Sequence, residues 1–547
     1  MNNITVLINK TFTRTITSQT SLLELSQEFS SSFSTPIVAA IVNGEEKSLH
    51  FKLDTDQTAI SFLELQTPIG MRIYSRSLIM LLQIALKQLK YNLNFSAKHN
   101  LGDAIYCELA PEIEITANFI AQLKEKMLEI VASNTAIEYN RMPKQKACDL
   151  FHKLNLEKNI GLIKYLKQDE ITYYSCLGIS NYFFSPLVPF TGILKIFDVL
   201  AYRQGILIRY PKYHAPTVLQ PYKNQTKLAD IFEEASNWAK LIECDTVSDL
   251  NNKVVSQEFN DIISISEALH EKKIAEIADK IKSDSLHKRL ILIAGPSSSG
   301  KTTFTKRLNI HLRVNGLKPA NLSIDDYFLS RSHTPRKSNG DYDFESIHAI
   351  DLKLFNEHLC RILRGERVKI PTFNFVSGCT EYRGNSIQLE PGQPILVEGI
   401  HALNEQLTAS IAAEYKLKIY VSAITGISLD PYNRIRTTDC RLLRRIVRDS
   451  QFRAHDARET LRLWPSVRAG EEENIFPYQE DADIMFNTSL LYELLVIKQY
   501  ATELLNQVTS EQDEYSEARR LLNLLNHVLE IDKFNIPDNS ILKEFIG

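Results

Sequence analysis

Residues Gly295 to Thr302 read GPSSSGKT, two glycines framing four residues and followed by a lysine and a hydroxyl. Gly295 and Gly300 let the backbone turn tightly, so that successive N–H groups across Pro296, Ser297, Ser298 and Ser299 converge on phosphate oxygens. Lys301 can reach β- and γ-phosphates, and the Thr302 hydroxyl can bind Mg²⁺. A helix starting near Lys301 adds Thr303 and the other free N–H groups of its first turn, at the positive end of its dipole. Acids stand at two further points, Asp325 and Asp326 after ANLSI and Glu398 at the end of PILVE. Arg441, Arg444, Arg445 and Arg448 recur at i, i+3, i+4 and i+7, so most of them share one helical face. Guanidinium suits phosphate because its planar fork makes paired hydrogen bonds. Phosphoryl-group chemistry is what these types and spacings can do.

The elements that position these residues are legible too. Leu290 to Ile293 is a short continuous apolar run, as expected of a parallel strand covered on both faces. Helical pattern follows from Thr303 to Leu312. ANLSI reads as a second strand, and an acid at its carboxyl end lies where α/β sheets place ligands. Beyond Ala482, DIMFNTS reads as a last strand and Leu490–Leu505 as a covering helix. The segment after the arginines, to about Glu473, is charged and reads as a mobile lid that excludes water.

The 547 residues exceed what one core organises, so several domains are expected. The chain is 44% hydrophobic and 24% charged, with net charge −3, which gives no reason to expect broad nucleic-acid binding. Seven scattered cysteines without a C-x-x-C argue for a reducing compartment and against structural zinc. MNNITVLINKTFT lacks the apolar core of a signal peptide, and no run approaches a membrane span; Leu78–Leu86 is too short. A cytoplasmic location is expected.

Five segments are expected: 1–65, 66–215, 216–285, 286–508 and 509–547. In the first, ITVLI reads as a strand, SLLELSQEF as a helix and PIVAAIVNGEE as a strand entering an Asn43-Gly44 hairpin turn. The order resembles the TGS module of threonyl-tRNA synthetases, a ubiquitin-like β-grasp fold. Residues 66–215 are similar to the α+β editing-type domain that follows TGS in those enzymes. In that family His-x-x-x-His on a helix, with a later Cys and His, binds a metal. The matching positions here are Arg76 and Met80, and SCLGIS offers Cys176 without a histidine after it. An always-protonated guanidinium cannot ligate a metal. No metal and no aminoacyl-tRNA hydrolysis are therefore expected, which leaves a surface for RNA, a ligand or another subunit. Residues 216–285 read as a solvated helical connector with alternating charge, docked on its neighbours. Residues 509–547 read as a helical extension that packs on the catalytic half or on a second copy in a homo-oligomer.

From residue 286 an ordered series appears: the phosphate loop, IDDYF (Ile324–Phe328), DYDF (Asp341–Phe344), IPTFNFVSG (Ile370–Gly378), ILVEGIHALN (Ile395–Asn404) and TTDCRLLRRIVRD (Thr437–Asp449). The series resembles the uridine kinase and phosphoribulokinase family, which implies an α/β fold with a parallel sheet between helices and the use of ATP and Mg²⁺. By resemblance Asp325, with Asp326 as its rival, takes the proton of a sugar 5′-hydroxyl, and Glu398 serves the metal with Thr302. Arg441 contacts the acceptor sugar, Arg444 the nucleotide phosphates and Asp343 the ribose hydroxyls. Arg445 reads as solvated. Phe373 and Phe375 stand at i, i+2 and either wall a flat base or pack in the core.

Nucleoside kinases of the family carry a histidine shortly after D-F-V-S and an arginine two residues on. Here NFVSGCT puts Asn374 for the Asp, Gly378 for the His and Thr380 for the Arg. The transfer machinery is complete while the base reader is altered. The expectation is ATP-dependent phosphorylation of a nucleoside or related sugar hydroxyl. The alternative is an RNA- or ribosome-associated ATPase that uses its P-loop as a switch.

Overall fold

The computed structural model describes residues 3–91, 95–284, 287–337, 340, 342–374, 377–531 and 535–547. The front of the chain is a mixed sheet of β1 (Asn3–Ile8), β2 (Phe12–Thr17), β3 (Ile37–Val42), β4 (Glu45–Ser48) and β5 (Thr58–Glu64), ordered β2-β1-β5-β3-β4. β1 and β5 run parallel, and the other pairs are antiparallel. Helix α1 (Leu22–Phe29) starts at a capping box in which Ser21 and Glu24 satisfy each other's backbone. Asn43 and Gly44 turn β3 into β4 with φ of 48° and 82°, the double left-handed geometry of a tight hairpin.

Helix α2 (Pro68–Gln88) follows, begun by the Thr67 cap and Pro68. It is long and apolar enough to cross a membrane, but 83% of its apolar window is buried inside the protein. Around it stand two antiparallel sheets. One holds β6 (Ser96–Asn100) and β7 (Ala104–Glu108), later joined by β11 (Asp198–Tyr202) and β12 (Gly205–Arg209), in the order β11-β12-β7-β6. After α3 (Ala117–Ala132), the other holds β8 (Glu138–Pro143), β9 (Glu170–Cys176) and β10 (Ile179–Asn181), with α4 (Lys144–Lys153) and α5 (Glu157–Ile163) between its first two strands. Arg76 lays its guanidinium 5.2 Å from the Phe184 ring and donates to the Pro186 carbonyl, while Met80 and Cys176 lie in the core.

Helices α6 (Thr226–Leu241), α7 (Val247–Val255) and α8 (Phe259–Ser283) lead into the second half. They pack into their neighbours more deeply than a solvated bridge would. Ile263, His270, Ile274, Ile277 and Ile281 give α8 a buried stripe, and this stripe joins the apolar core of the catalytic half.

That half is a parallel sheet of β13 (Leu290–Ala294), β14 (Ala320–Ser323), β19 (Ile395–Glu398), β20 (Lys416–Ser422) and β21 (Ile484–Asn487), ordered β14-β19-β13-β20-β21. Helices α9 (Lys301–Val314) and α10 (Leu352–Leu363) follow β13 and β14. Two small hairpin-like pairs, β15 (Val368–Lys369) with β18 (Ser386–Ile387) and β16 (Thr372–Asn374) with β17 (Cys379–Glu381), precede β19. Then come α11 (Thr437–Phe452), α12 (Ala457–Asn474), α13 (Glu493–Asn506), α14 (Tyr515–Leu525) and α15 (Lys543–Ile546). The lid segment is thus a packed helix, α12, which buries Leu461, Trp464 and Val467. The front half is bolted on by buried polar contacts: Arg520 of α14 pairs with Asp439 of α11 at 2.8 Å and with Glu517, which in turn meets Arg72 of α2.

Candidate active site

The phosphate loop runs from the carboxyl end of β13 into α9. Gly295 is required by packing: a Cβ there would stand 2.0 Å from the Val421 carbonyl oxygen of β20. Gly300 is required by conformation, at φ +83° on the amino side of α9. The carbonyls of the loop point to one side, where side chains fix them. The Arg441 Nε donates to Ser297 O at 3.0 Å, Arg444 Nη1 to Ser298 O at 3.5 Å, and Thr488 Oγ1 to Ser299 O at 2.6 Å. Fixing the carbonyls on that side orients the loop for anion binding by its amides. Lys301 Nζ folds back on the carbonyls of Gly295 and Pro296, at 2.9 and 3.1 Å. Burial lowers its ammonium from the usual range against the pull of Glu398, Glu544 and Asp325.

Asp325 and Glu398 both face that lysine. Asp325 lies in a 3-10 turn just after β14, with its N–H held by the Ser323 hydroxyl at 3.3 Å. Asp325 is exposed in that turn yet closely surrounded by protein. Lost hydration raises it from the carboxylate range, and Lys301 and Arg453 pull the other way. Burial likewise raises Glu398, with Lys301 lowering and Asp325 adding to it. Thr302 Oγ1 donates to Glu398 Oε1 at 3.3 Å, so the two residues expected at a metal stand together. They offer hard oxygens, the donor type that suits Mg²⁺.

The arginines divide differently from the expectation. Arg444 is completely buried and all its N–H groups are taken: Nε and Nη2 by Glu493, Nη1 by Ser298 and Thr488, Nη2 also by the Thr488 carbonyl. It braces the back of the loop and has no donor left for a phosphate, which corrects the role that the resemblance implied. Arg441, 1% exposed, pairs with Glu471 of α12 and stacks 5.4 Å from Trp464. It too serves the loop rather than an open acceptor pocket. Arg445 is not solvated: it donates to Ser297 Oγ at 2.8 Å and pairs with Asp449 at 3.1 Å. Buried Asp449 also takes Arg448 and Arg453. Helical spacing missed Arg453, whose charge works to lower the Asp325 carboxyl while it pairs with Asp449 at 3.6 Å.

On the acceptor side, Asp343 lies 3.9 Å from Lys337 and its N–H is bound by Pro335 O. Phe373 is a core residue, 5% exposed, its ring 5.6 Å from that of Phe328, so it walls nothing open to a base. Phe375 lies outside the described residues. Asn374 holds Glu381 at 2.8 Å within the hairpin, and Thr380 ties the hairpin to the Phe328 carbonyl beside the turn of Asp325. Gly378, at φ +68°, lets the Arg331 side chain pass where a Cβ would stand 2.4 Å from its Cδ.

Sequence reasoning also missed the acids of α12. Burial works to raise the Glu471 carboxyl, but Arg441 and Arg468 outweigh it and leave it below its usual range. Glu345 faces Glu471, Arg445, Lys337 and Asp343; burial first, then Glu471, pushes it up to about 7 from 4.5. In the window between those values the folded protein keeps a proton that the unfolded chain releases. Its contribution to stability therefore falls as pH rises through the window and is lost above it. Glu345→Gln is expected to raise Tm by a few degrees at about pH 8 and to leave it unchanged at about pH 4, as read by differential scanning fluorimetry at both.

Residues 290–490 match the Phosphoribulokinase / Uridine kinase family. The chain is 29% identical over 197 residues to the uridine kinase of Bacillus pumilus, across 36% of this chain and 84% of that protein. It is 25% identical over 197 residues to the uridine kinase of Deinococcus deserti, across 36% and 86%. A solved structure described as a possible uridine kinase from Bacillus stearothermophilus covers 39% of this chain and 100% of its own, at 16% identity and TM-score 0.26. The parallel sheet and its loop define a P-loop kinase domain over residues 290–490. Its family is that of phosphoribulokinase and uridine kinase, which implies ATP and a phosphate acceptor.

Proposed function

We propose that this kinase domain transfers the γ-phosphoryl group of ATP to a hydroxyl of a nucleoside or related sugar, with Asp325 as the base. The observation that carries the reading is an exposed carboxylate, Asp325, in the turn at the carboxyl end of β14, whose charge acts on the lysine of the phosphate loop beside the Thr302–Glu398 pair. In the proposed step the acceptor oxygen bonds to the γ-phosphorus, the β–γ bridging bond breaks, ADP leaves, and the acceptor proton passes to Asp325. Thr302 and Glu398 would hold Mg²⁺ with phosphate oxygens and water, and its charge would neutralise the β- and γ-phosphates.

For the front half, the strand order β2-β1-β5-β3-β4 supports a β-grasp module of TGS type over residues 1–65. A following editing-type domain over 66–215 is read as lacking metal ligands, since Arg76 takes a ligand position and is engaged by Phe184 and Pro186.

The test is ADP release by the full chain with ATP and Mg²⁺ across nucleosides, phosphorylated sugars and sugar acids, beside Lys301→Ala. One acceptor is expected to stimulate turnover strongly, and Lys301→Ala to remove that stimulation. Turnover that ignores every small acceptor but responds to tRNA or ribosomes would replace the reading with an RNA-associated ATPase.

A further inference from the structure

The loop's N–H groups, which on the proposed reading hold the triphosphate, meet two of the chain's own carboxylates. At the loop's start, the Ser297 N–H donates to Glu471 Oε1 of α12 at 3.0 Å. At the first turn of α9, the Thr303 N–H donates to Glu544 Oε2 of α15 at 3.0 Å. These two amides lie at opposite ends of the track along which successive N–H groups line phosphates.

The segment that brings Glu544 is firmly seated. Ile541, Leu542 and Phe545 are fully buried in the catalytic core. Ile541 reaches to 3.4 Å of where a Cβ on Gly300 would stand, and the Phe545 ring lies 4.9 Å from the Arg444 guanidinium. The contact is therefore a packed one, not a chance reach of a surface side chain. It also loads one cation heavily: Lys301 is faced by Glu398, Glu544 and Asp325 together. A polyphosphate entering the loop meets a third like charge and an amide already bonded.

We propose that Glu544 is an intramolecular competitor of the nucleotide, so that the phosphates of ATP bind only when its carboxylate leaves the Thr303 amide. This deepens the kinase reading and rests on it. A stable site results with low intrinsic nucleotide affinity, set by how tightly residues 541–547 stay docked. Glu471 is the wrong place to test this, because its removal strands Arg441 in the interior. Glu544 is only half-buried, and glutamine keeps its shape without its charge.

The experiment titrates N-methylanthraniloyl-ATP with Mg²⁺ into the full chain as wild type, Glu544→Gln, Glu544→Ala and Lys301→Ala. Both Glu544 variants are expected to bind at least about fivefold more tightly than wild type. In wild type, amide hydrogen exchange of residues 541–547 is expected to quicken when ATP is added. Equal or weaker binding by the Glu544 variants, with Lys301→Ala still impaired, overturns the inference and leaves the kinase reading standing. Exchange in 541–547 that stays as slow with ATP as without it overturns the inference as well. No binding by wild type or by any variant overturns both.

Discussion

Asp325→Asn is expected to cut acceptor-stimulated ADP release by about 10²- to 10⁴-fold, the range for losing a positioned general base. The dissociation constant for ATP should change little, because Asp325 faces Lys301 across the cleft and takes no hydrogen bond from the loop amides. Asparagine keeps an oxygen that can accept a hydrogen bond from the acceptor hydroxyl, so orientation survives while proton acceptance does not. The loss should therefore fall on kcat rather than on KM for the acceptor. The pH profile gives an independent readout. Lost hydration raises the Asp325 carboxyl, so the acidic limb of kcat/KM should stand above that of an ordinary aspartate in the wild type. Asp326→Asn is the control. Asp326 is half-buried, and burial raises its carboxyl, with Asp325 adding to the rise and the Phe373 backbone hydrogen bond opposing it. A large loss from Asp326→Asn with Asp325→Asn near wild type would reverse the assignment between the two.

The contrast between these neighbours shows what could be read from the chain and what could not. The loop, its strand and its helix are local objects: glycine spacing, an apolar run and a helical period each act over fewer than about twenty residues. The Asn43-Gly44 turn is of the same kind, and its two positive φ angles follow from its residue types. The buried stripe of α8 was equally present, as Ile263, Ile274, Ile277 and Ile281, but alternating charge on the opposite face drew the reading toward solvent. What could not be read is the partner of each arginine. Spacing states which arginines share a face of α11, not which way that face turns. The deciding groups are Glu471 for Arg441, Glu493 for Arg444 and, at the Thr303 amide, Glu544, which come from three later helices. Glu544 meets an amide 241 residues away along the chain. Contacts of that kind are made by tertiary packing, and no local signal announces them. Phe373 failed for a related reason: alternation on a short strand says that two aromatics point the same way, not that the side they face is open.

Arg444→Ala is expected to cost about 3–5 kcal/mol of stability, because it leaves the Glu493 carboxylate buried without a counter-charge. Both side chains are sealed, at 0% and 3% exposure, so water cannot replace the lost partner. The pair is joined by two bonds, and the same guanidinium holds the Thr488 carbonyl and the Ser298 carbonyl of the phosphate loop. Its removal should therefore loosen the loop as well as the core. A drop in the urea midpoint of unfolding measures the first effect, and faster amide exchange at Ser298 and Ser299 measures the second. The double variant Arg444→Met, Glu493→Leu separates charge from packing. Apolar groups of similar size remove the stranded carboxylate, so most of the midpoint should return. Amide exchange decides between the two roles that the position could have had. If Arg444 held a phosphate, the double variant would be stable and bind ATP poorly while Ser298 and Ser299 exchange as slowly as in the wild type. As a brace behind the loop, it leaves the double variant stable but with fast exchange at Ser298 and Ser299 beside the weaker ATP binding, because methionine cannot hold the Ser298 carbonyl.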